Sequence, residues 1–425
     1  MKFKKIIILL TTSLILLTII YFILTKLILS SSLPKIQNKI WGKSFTIFME
    51  LPDPIKSSFM IFSGKRNFNN LFNDYNVKFL PDTQYIKLKF EKHKIGLDPK
   101  SRKTFYVENF KEDIILTSRG GIFYKTKLNE LNNDNGKVRF EKIKVTNLNE
   151  NNLGKVSILD SLVIGNQIFT SNVIKTKDCD KLEIKVAEIS KILKFETFKL
   201  FKECALIGAG AGKLQPYLFN KKEGILISST DSNNDVPGKK AQDDNSIFGK
   251  IFFLDLVSKD YEIISKGHRN PQGLFVKNDI ILSTEHGPRG GDEINKILYK
   301  KNYGWPIASY GESYEKKDLI YKKSHKENSF EEPLYVFLPS IGISELIILP
   351  NTFDDMWKNN ALVTSLNGRS IYRVKFEDDT FSKVLYTEKI YIGERIRDIK
   401  FIEKSNVILL SLERTGSLGI LSKQR

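Results

Sequence analysis

Residues 267–293 place an arginine and an asparagine, Arg269 and Asn270, in GHRNPQG, and a second arginine and two carboxylates, Arg289, Asp292 and Glu293, in HGPRGGDE. Both segments are too rich in glycine and proline for regular structure, so their backbone carbonyls are left without ladder partners. Guanidinium and amide donors suit a planar polyanion. Carboxylates and freed carbonyls at a rigid turn suit a hard cation. The stretch holds two of the four histidines, His268 and His286, and ends in KNYGWP at Pro306.

The elements that must position these groups are short strands. Between the two loops, GLFVKN and DIILSTE form two apolar runs around Lys277, Asn278 and Asp279, a hairpin signal. DIILTSRGGIFYKTKL, SILDSLVIGNQIFTSNVI, GILISST with KIFFLDL, ALVTSLNGRSIYRVKF and IRDIKFIEKSNVILLSLERTGSLGIL repeat the form. Strand pairs of this kind over some 320 residues predict an all-β domain, and a propeller suits them because it leaves only short protected edges. A pair of β-sandwiches is the structural alternative. LEIKVAEISKIL has spacing that fits either a helix or a strand plus a turn.

GHRNPQG, HGPRGGDE and KNYGWP, in that order, resemble the signature of the glucose/sorbosone dehydrogenase family. The resemblance implies a six-bladed β-propeller that uses pyrroloquinoline quinone (PQQ) held with calcium to oxidise an aldose. It implies that Arg269 and Asn270 reach the cofactor, that the carbonyls of Gly287 and Pro288 coordinate the cofactor's calcium, and that Asp292 and Glu293 bind a structural calcium. ERIRDI resembles a paired-arginine segment that clamps the quinone. Arg395 and Arg397, two apart on a strand, can address one ligand.

Three positions depart from the family pattern. GAGAGKL resembles the family's His-x-Gly-Gly-Arg-Leu, which places Ala209 where the general-base histidine stands. A methyl group accepts no proton, and a positioned base contributes roughly 10²- to 10⁴-fold. Asp231 occupies the aspartate position that follows, as a substrate or cofactor contact or as an Asx-turn at a strand end. Asn367 in LVTSLNG replaces a cofactor-touching lysine, and PSIGISEL carries Glu345 where the family's turn has glycine. His286 is the remaining candidate for a base. The expected activity is therefore hydride transfer from a sugar to a quinone if the chain is active. The alternative is a non-catalytic propeller that binds a sugar, a glycan or a protein. A calcium-dependent hydrolase is disfavoured, because neither a nucleophile nor a metal-bound water can be identified.

The 425 residues carry a formal net charge of +18, with 41% hydrophobic and 27% charged residues. No short window concentrates arginine with aromatics, so nucleic acid is not an expected partner and the charge reads as a lysine-rich surface. Residues 6–25, from Ile6 to Thr25, contain no charge and follow Lys2, Lys4 and Lys5. As a helix they would span roughly 30 Å, the thickness of a bilayer core, with the amino end in the cytoplasm. The rival is a cleaved signal peptide; in both cases the remainder lies outside the cytoplasmic membrane. The expected domains are an anchor over residues 1–30, a juxtamembrane spacer over 31–103 and the propeller over 104–425, with residues 55–72 as a surface helix or packed spacer. Cys179 and Cys204 are candidates for a disulfide, which persists outside the cytoplasm.

Overall fold

The computed structural model describes residues 77–79, 86–97, 103–132, 138–148, 157–175, 179–204, 212–231, 240–313 and 321–424. The chain divides into two units, Met1–Asp74 and Tyr75–Arg425, and every described residue lies in the second. The expected span at residues 6–25, the expected helix at 55–72 and Ala209 lie outside the described residues. No helix among the described residues is long and apolar enough to cross a membrane.

Among the described residues of the second unit, six sheets of four or five strands form, antiparallel except for one parallel outer pair in each of the first and third in chain order. The innermost strands, in order, are Phe105–Phe110, Ser157–Ile164, Leu214–Phe219, Pro271–Lys277, Ile343–Ile348 and Ile396–Ile402. Each buries apolar side chains against the next sheet. Phe105, Val107 and Leu116 of the first blade meet Ile402, Leu409 and Ile420 of the sixth. Phe169 and Ile184 of the second meet Ile225 and Phe252 of the third. Apolar seams of the same kind join every other neighbouring pair, so the sheets close into a ring. This is the expected six-bladed propeller.

The sixth blade is closed by a strand from the start of the unit. Leu88–Lys94 pairs antiparallel with Ser417–Lys423 along its whole length, and Val77–Phe79 adds outside it. Leu88 and Phe90 are buried in the seam between the fifth and sixth blades, a burial that contributes about 1.5–3 kcal/mol per side chain. Two strands of the expected spacer thus belong to the propeller sheet, and the boundary drawn at residue 104 falls too late. Their alternation of apolar and charged residues, LKFEKHK, is period two, but its partner lies at the other end of the chain.

LEIKVAEISKIL forms strand, turn and strand. Asp180–Glu188 belongs to the second blade, whereas Ile192–Lys194 crosses to pair in parallel with Glu141–Thr146 of the first. Cys179 and Cys204 form the expected disulfide, with Cα atoms 5.5 Å apart. It ties the paired strands Asp180–Glu188 and Glu196–Leu200 at the rim of the second blade.

Antiparallel pairing fixes which loops share a face. The link entering an inner strand and the turn joining the second and third strands of the same blade emerge on the same side of the ring. GHRN, HGPRGG, the turn at 366–369, the link at 392–395 and the turn at 413–416 therefore all lie on one face.

Candidate functional site

Glu285 ends the second strand of the fourth blade and organises the GHRN loop. Its Oε1 accepts the backbone N–H groups of Arg269 and, at 3.2 Å, Asn270. Its Oε2 meets His268 Nδ1 at 3.0 Å. His268 is fully buried, with Nε2 2.8 Å from Ser265 Oγ and its ring stacked on Tyr303. His268 is thus a packed strut beneath the loop and does not face solvent.

Arg269 turns back over the second loop. Its Nη1 donates to the carbonyls of His286 at 3.2 Å and Gly287 at 2.9 Å, and its guanidinium lies over Trp305, 5.3 Å from the ring centroid. The loop folds on itself so closely that a Cβ at Gly287 would collide with the carbonyl oxygens of Gly290 and Gly291. Only glycine fits there.

Asn270 is joined to the sixth blade by a relay. Gln272 donates to Asn270 Oδ1 at 2.8 Å and accepts from Arg397 Nη1 at 3.0 Å. Arg397 Nη2 binds Glu413 Oε2 at 3.1 Å, and Arg395 Nη2 lies 3.7 Å from the same oxygen. Thr104 donates to Glu413 Oε1 at 2.9 Å. Burial disfavours the Glu413 anion, but Arg397 and then Arg395 hold its carboxyl below its ordinary value. Arg269 and Asn270 therefore share a face with Arg395 and Arg397, and Gln272 connects Asn270 to Arg397. Sequence reasoning missed Gln272, Glu285 and Glu413. Each sits at or next to a strand end, but nothing in the local pattern marks it.

Asp231 serves the backbone. Its Oδ2 accepts the Ala241 N–H at 2.7 Å, its N–H donates to the Arg269 carbonyl at 2.8 Å, and its carbonyl accepts Trp305 Nε1 at 3.0 Å. Burial pushes its carboxyl up. Asp231 thus staples the third blade to the GHRN loop through partners distant in sequence, and its carboxylate caps the Ala241 N–H ten residues on rather than an Asx-turn. Asn367 is exposed, and its N–H bonds the Ile341 carbonyl at the same face.

The expected metal residues are placed together but are already engaged. Asp292 Oδ2 accepts the N–H groups of Ile341 at 3.0 Å and Ile343 at 2.9 Å, and Oδ1 accepts that of Gly287 at 3.2 Å. Burial works against its anion, but His286 and the Ile343 N–H hold the carboxyl below its ordinary value. Glu293 is buried, and burial followed by the Glu285 charge pushes its carboxyl well up, which disfavours the anion that a calcium ligand must supply. The Gly287 carbonyl is bonded to Arg269. No group of three or more His, Cys, Asp or Glu side chains among the described residues is arranged to hold a metal ion. This arrangement does not fit a calcium ion at Asp292 and Glu293. The four donors Arg269, Asn270, Arg395 and Arg397 do fit a planar polycarboxylate, since guanidinium forks bind carboxylates in pairs.

His286 lies beside these donors. Its side chain is 21% exposed, with Nδ1 3.6 Å from Asp292 Oδ1. His325 is buried, and its ring stacks on Tyr310. His93 is on the closing strand of the sixth blade. Among the described residues His286 is therefore the imidazole on this face that a solute can reach.

Beneath the face, the channel between the inner strands is plugged by charge. Lys213 Nζ lies 2.9 Å from Asp160, 2.5 Å from Glu345 and 3.6 Å from Asp398. Asp160 also accepts the Leu214 N–H at 2.9 Å, Glu345 that of Leu274 at 3.1 Å, and Asp398 that of Val107 at 2.7 Å. The inner strands of all six blades are thus tied together around one ammonium. Burial pushes the Asp160 carboxyl up to about 7, against the pull of Lys213. On the far side of the plug a cavity of about 360 Å³ opens between Phe275, Leu349 and Phe401. Glu345, at the family's glycine position, is one of the three carboxylates that meet Lys213.

The ring of six sheets defines a six-bladed β-propeller, and guanidinium and amide donors lie on one of its faces. The family model for glucose/sorbosone dehydrogenases matches residues 210–420. Residues 210–420 of this chain belong to the glucose/sorbosone dehydrogenase family, as the motifs implied. An uncharacterised protein of Synechocystis is 31% identical over 46% of this chain and 52% of its own length. An aldose sugar dehydrogenase of Escherichia coli is 27% identical over 54% of this chain and 65% of its own length. Quinoprotein glucose dehydrogenase B of Acinetobacter calcoaceticus is 30% identical over 37% of this chain and 34% of its own. The chain thus spans between a third and two thirds of the curated relatives it matches. Among solved structures, the soluble aldose sugar dehydrogenase of Escherichia coli in its apo form superposes with a TM-score of 0.62 at 21% identity, over 79% of this chain and 99% of that one. The PQQ-bound aldose sugar dehydrogenase of Streptomyces coelicolor gives 0.56 at 14% identity, over 81% of this chain and 100% of that one. At these identities the structural likeness shows the fold.

Proposed function

We propose that this protein is a PQQ-binding, sugar-oxidising propeller whose site is the face carrying Arg269, Asn270, Arg395 and Arg397. The observation that carries the reading is the relay from Asn270 through Gln272 to Arg397 and Glu413. It holds donors from the fourth and sixth blades at one place. The names of the aldose sugar dehydrogenase and quinoprotein glucose dehydrogenase relatives support the substrate class.

Arg269, Arg395 and Arg397 would hold the quinone's carboxylates, and Asn270 would donate to its ring. The chemistry such a group supplies when bound is acceptance of a hydride from the sugar's anomeric carbon. The chain's own part is to orient the sugar and take the proton of its hydroxyl. His286, backed by Asp292, is the group placed to accept that proton. The uncharged run at residues 6–25 and the Cys179–Cys204 bridge support an anchored protein working outside the cytoplasmic membrane, in the periplasm or beyond.

A second reading, binding without turnover, is favoured by one specific observation, the alanine at position 209. The two are separated by titrating the full chain with PQQ, with and without calcium, and then following dye reduction on addition of aldoses. Saturable binding with turnover that His286→Asn abolishes supports the dehydrogenase. Binding without turnover, with Ala209→His restoring activity, supports the second reading. Absence of PQQ binding overturns both uses of this site.

A further inference from the structure

The loop joining the second and third strands of the third blade, residues 240–249, wraps around one ammonium. Lys250 opens the third strand, Lys250–Asp255, and is fully buried. Its Nζ donates to the carbonyls of Lys240 at 2.6 Å, Ala241 at 3.1 Å and Phe248 at 3.0 Å. A lysine ammonium has three donors and no acceptor, so this cage uses all of them. Carbonyl oxygens converging in a buried place cost free energy unless a donor lies between them. Residues 232–239 lie outside the described residues, and none of these bonds involves them.

The group in the cage is a cation at neutral pH. Burial pushes the Lys250 amine down to about 8, against the charges of Asp231, Glu203 and Asp243, while the Lys266 charge works with burial. The nearer carboxylates are engaged with other groups. Glu203 Oε1 accepts Lys240 Nζ at 2.8 Å and Ser246 Oγ at 2.6 Å, and its Oε2 accepts the Ile247 N–H at 2.8 Å. Asp231 Oδ2 accepts the Ala241 N–H. Lys266 binds Asp244 at 2.6 Å.

The caged loop carries the GHRN loop of the next blade. The Ala241 carbonyl accepts the Gly267 N–H at 3.0 Å, and the Gly249 carbonyl accepts that of His268 at 3.1 Å. Asp231 bonds Ala241 on one side and the Arg269 carbonyl on the other. Gln242 Nε2 donates at 2.6 Å to the carbonyl of Trp305, the residue beneath the Arg269 guanidinium. The two loops lie so close that a Cβ at Gly249 would stand 2.6 Å from the Ala241 Cβ and 2.8 Å from the His268 carbonyl oxygen. A shift in the first loop is therefore passed to the second.

We propose that Lys250 is a positioning residue, a cation supplied by the chain itself that shapes the 240–249 loop and through it sets the backbone of Gly267, His268 and Arg269. Its effect on cofactor affinity rests on the reading of this face as a PQQ site; its effect on the two loops does not.

The test uses the full chain and two readouts. Amide hydrogen exchange follows peptides covering residues 240–249 and 267–274, and fluorescence titration follows PQQ. Lys250→Met keeps the length of the side chain and removes its charge. It should speed exchange in both peptides about tenfold or more and weaken PQQ binding by a similar factor, as loss of buried hydrogen-bond partners does. Lys250→Ala leaves room for n-propylammonium, which should restore slow exchange and affinity, whereas n-propanol, of similar size and uncharged, should not. Lys185→Met is the control. Lys185 is also buried, in the second blade, with Nζ 3.0 Å from the Asn147 carbonyl. Its loss should leave exchange at 267–274 and PQQ affinity as in the parent. Unchanged exchange at 267–274 in Lys250→Met overturns the proposal, as does an equal effect of Lys185→Met or equal rescue by propanol. Faster exchange with PQQ affinity at the parent's value overturns the positioning role. If Lys250→Met does not fold, Lys250→Ala refolded with n-propylammonium must reproduce the parent's exchange pattern, and failure to do so overturns the proposal. A parent chain that never binds PQQ, with exchange still answering to Lys250, sinks the quinone reading alone.

Discussion

Arg397 and Gln272, 125 residues apart in sequence, are joined by a 3.0 Å hydrogen bond across the top of the channel. Gln272 is buried and carries the contact on to Asn270, so the position of Asn270 depends on an arginine two blades away. Gln272→Ala should leave both partners short of a hydrogen bond, each costing about 1–3 kcal/mol when buried. The expected result is PQQ affinity reduced about tenfold or more with the ring still folded, read by fluorescence titration beside circular dichroism. Unchanged affinity would remove the relay from the site.

The charged plug should make stability depend on pH. Burial raises the folded Asp160 carboxyl to about 7, above its unfolded value near 4. A raised carboxyl contributes stability that is fully present below the unfolded pKa and is lost as pH rises through the folded one. This contribution should therefore fall between about pH 4 and pH 8. Thermal melts of the parent and Asp160→Asn across that range should differ in slope, with the variant flatter. Parallel curves would mean that Asp160 is ionised throughout.

The closing strand sets a sharp boundary. A chain beginning at residue 104 lacks Leu88–Lys94 and leaves one edge of Ser417–Lys423 unpaired. It should aggregate or melt far below a chain beginning at residue 75, because an open sheet edge templates association. Within the longer chain, Phe90→Ala should cost about 3–5 kcal/mol, as removal of a buried aromatic does. Denaturant titration of the three proteins checks both statements.

The disulfide ties residues 25 apart at the rim of the second blade. Replacing Cys179 and Cys204 with serine should lower stability by about 3 kcal/mol, from the freedom returned to the unfolded loop. Titration with and without reductant should show the same loss in the parent and none in the variant.

The local pattern of the chain was enough for the strands and for picking out several polar residues of this face. Period-two runs and glycine-rich turns produce hairpins from neighbouring residues, and GHRN, HGP and ERIRDI were legible because motif spacing is itself local. The closing strand was not legible, since LKFEKHK acquires meaning only against a partner more than 320 positions on. Asp231 and Asp292 were legible as polar residues near the site but not in their roles. A carboxylate that caps backbone N–H groups has the same sequence as one that binds a ligand, and only the surrounding loops decide between them.

By itself, the sequence determined that this protein is built of paired strands and carries the glucose/sorbosone dehydrogenase motifs, because both follow from contacts between near neighbours. Only the tertiary structure decided that Arg269, Arg369 and Arg397 share a face, that Lys213 seals the channel beneath them, and that Gln272 and Glu413 hold the donors in place. Those facts depend on ring closure, which sets strand direction and register between residues hundreds of positions apart.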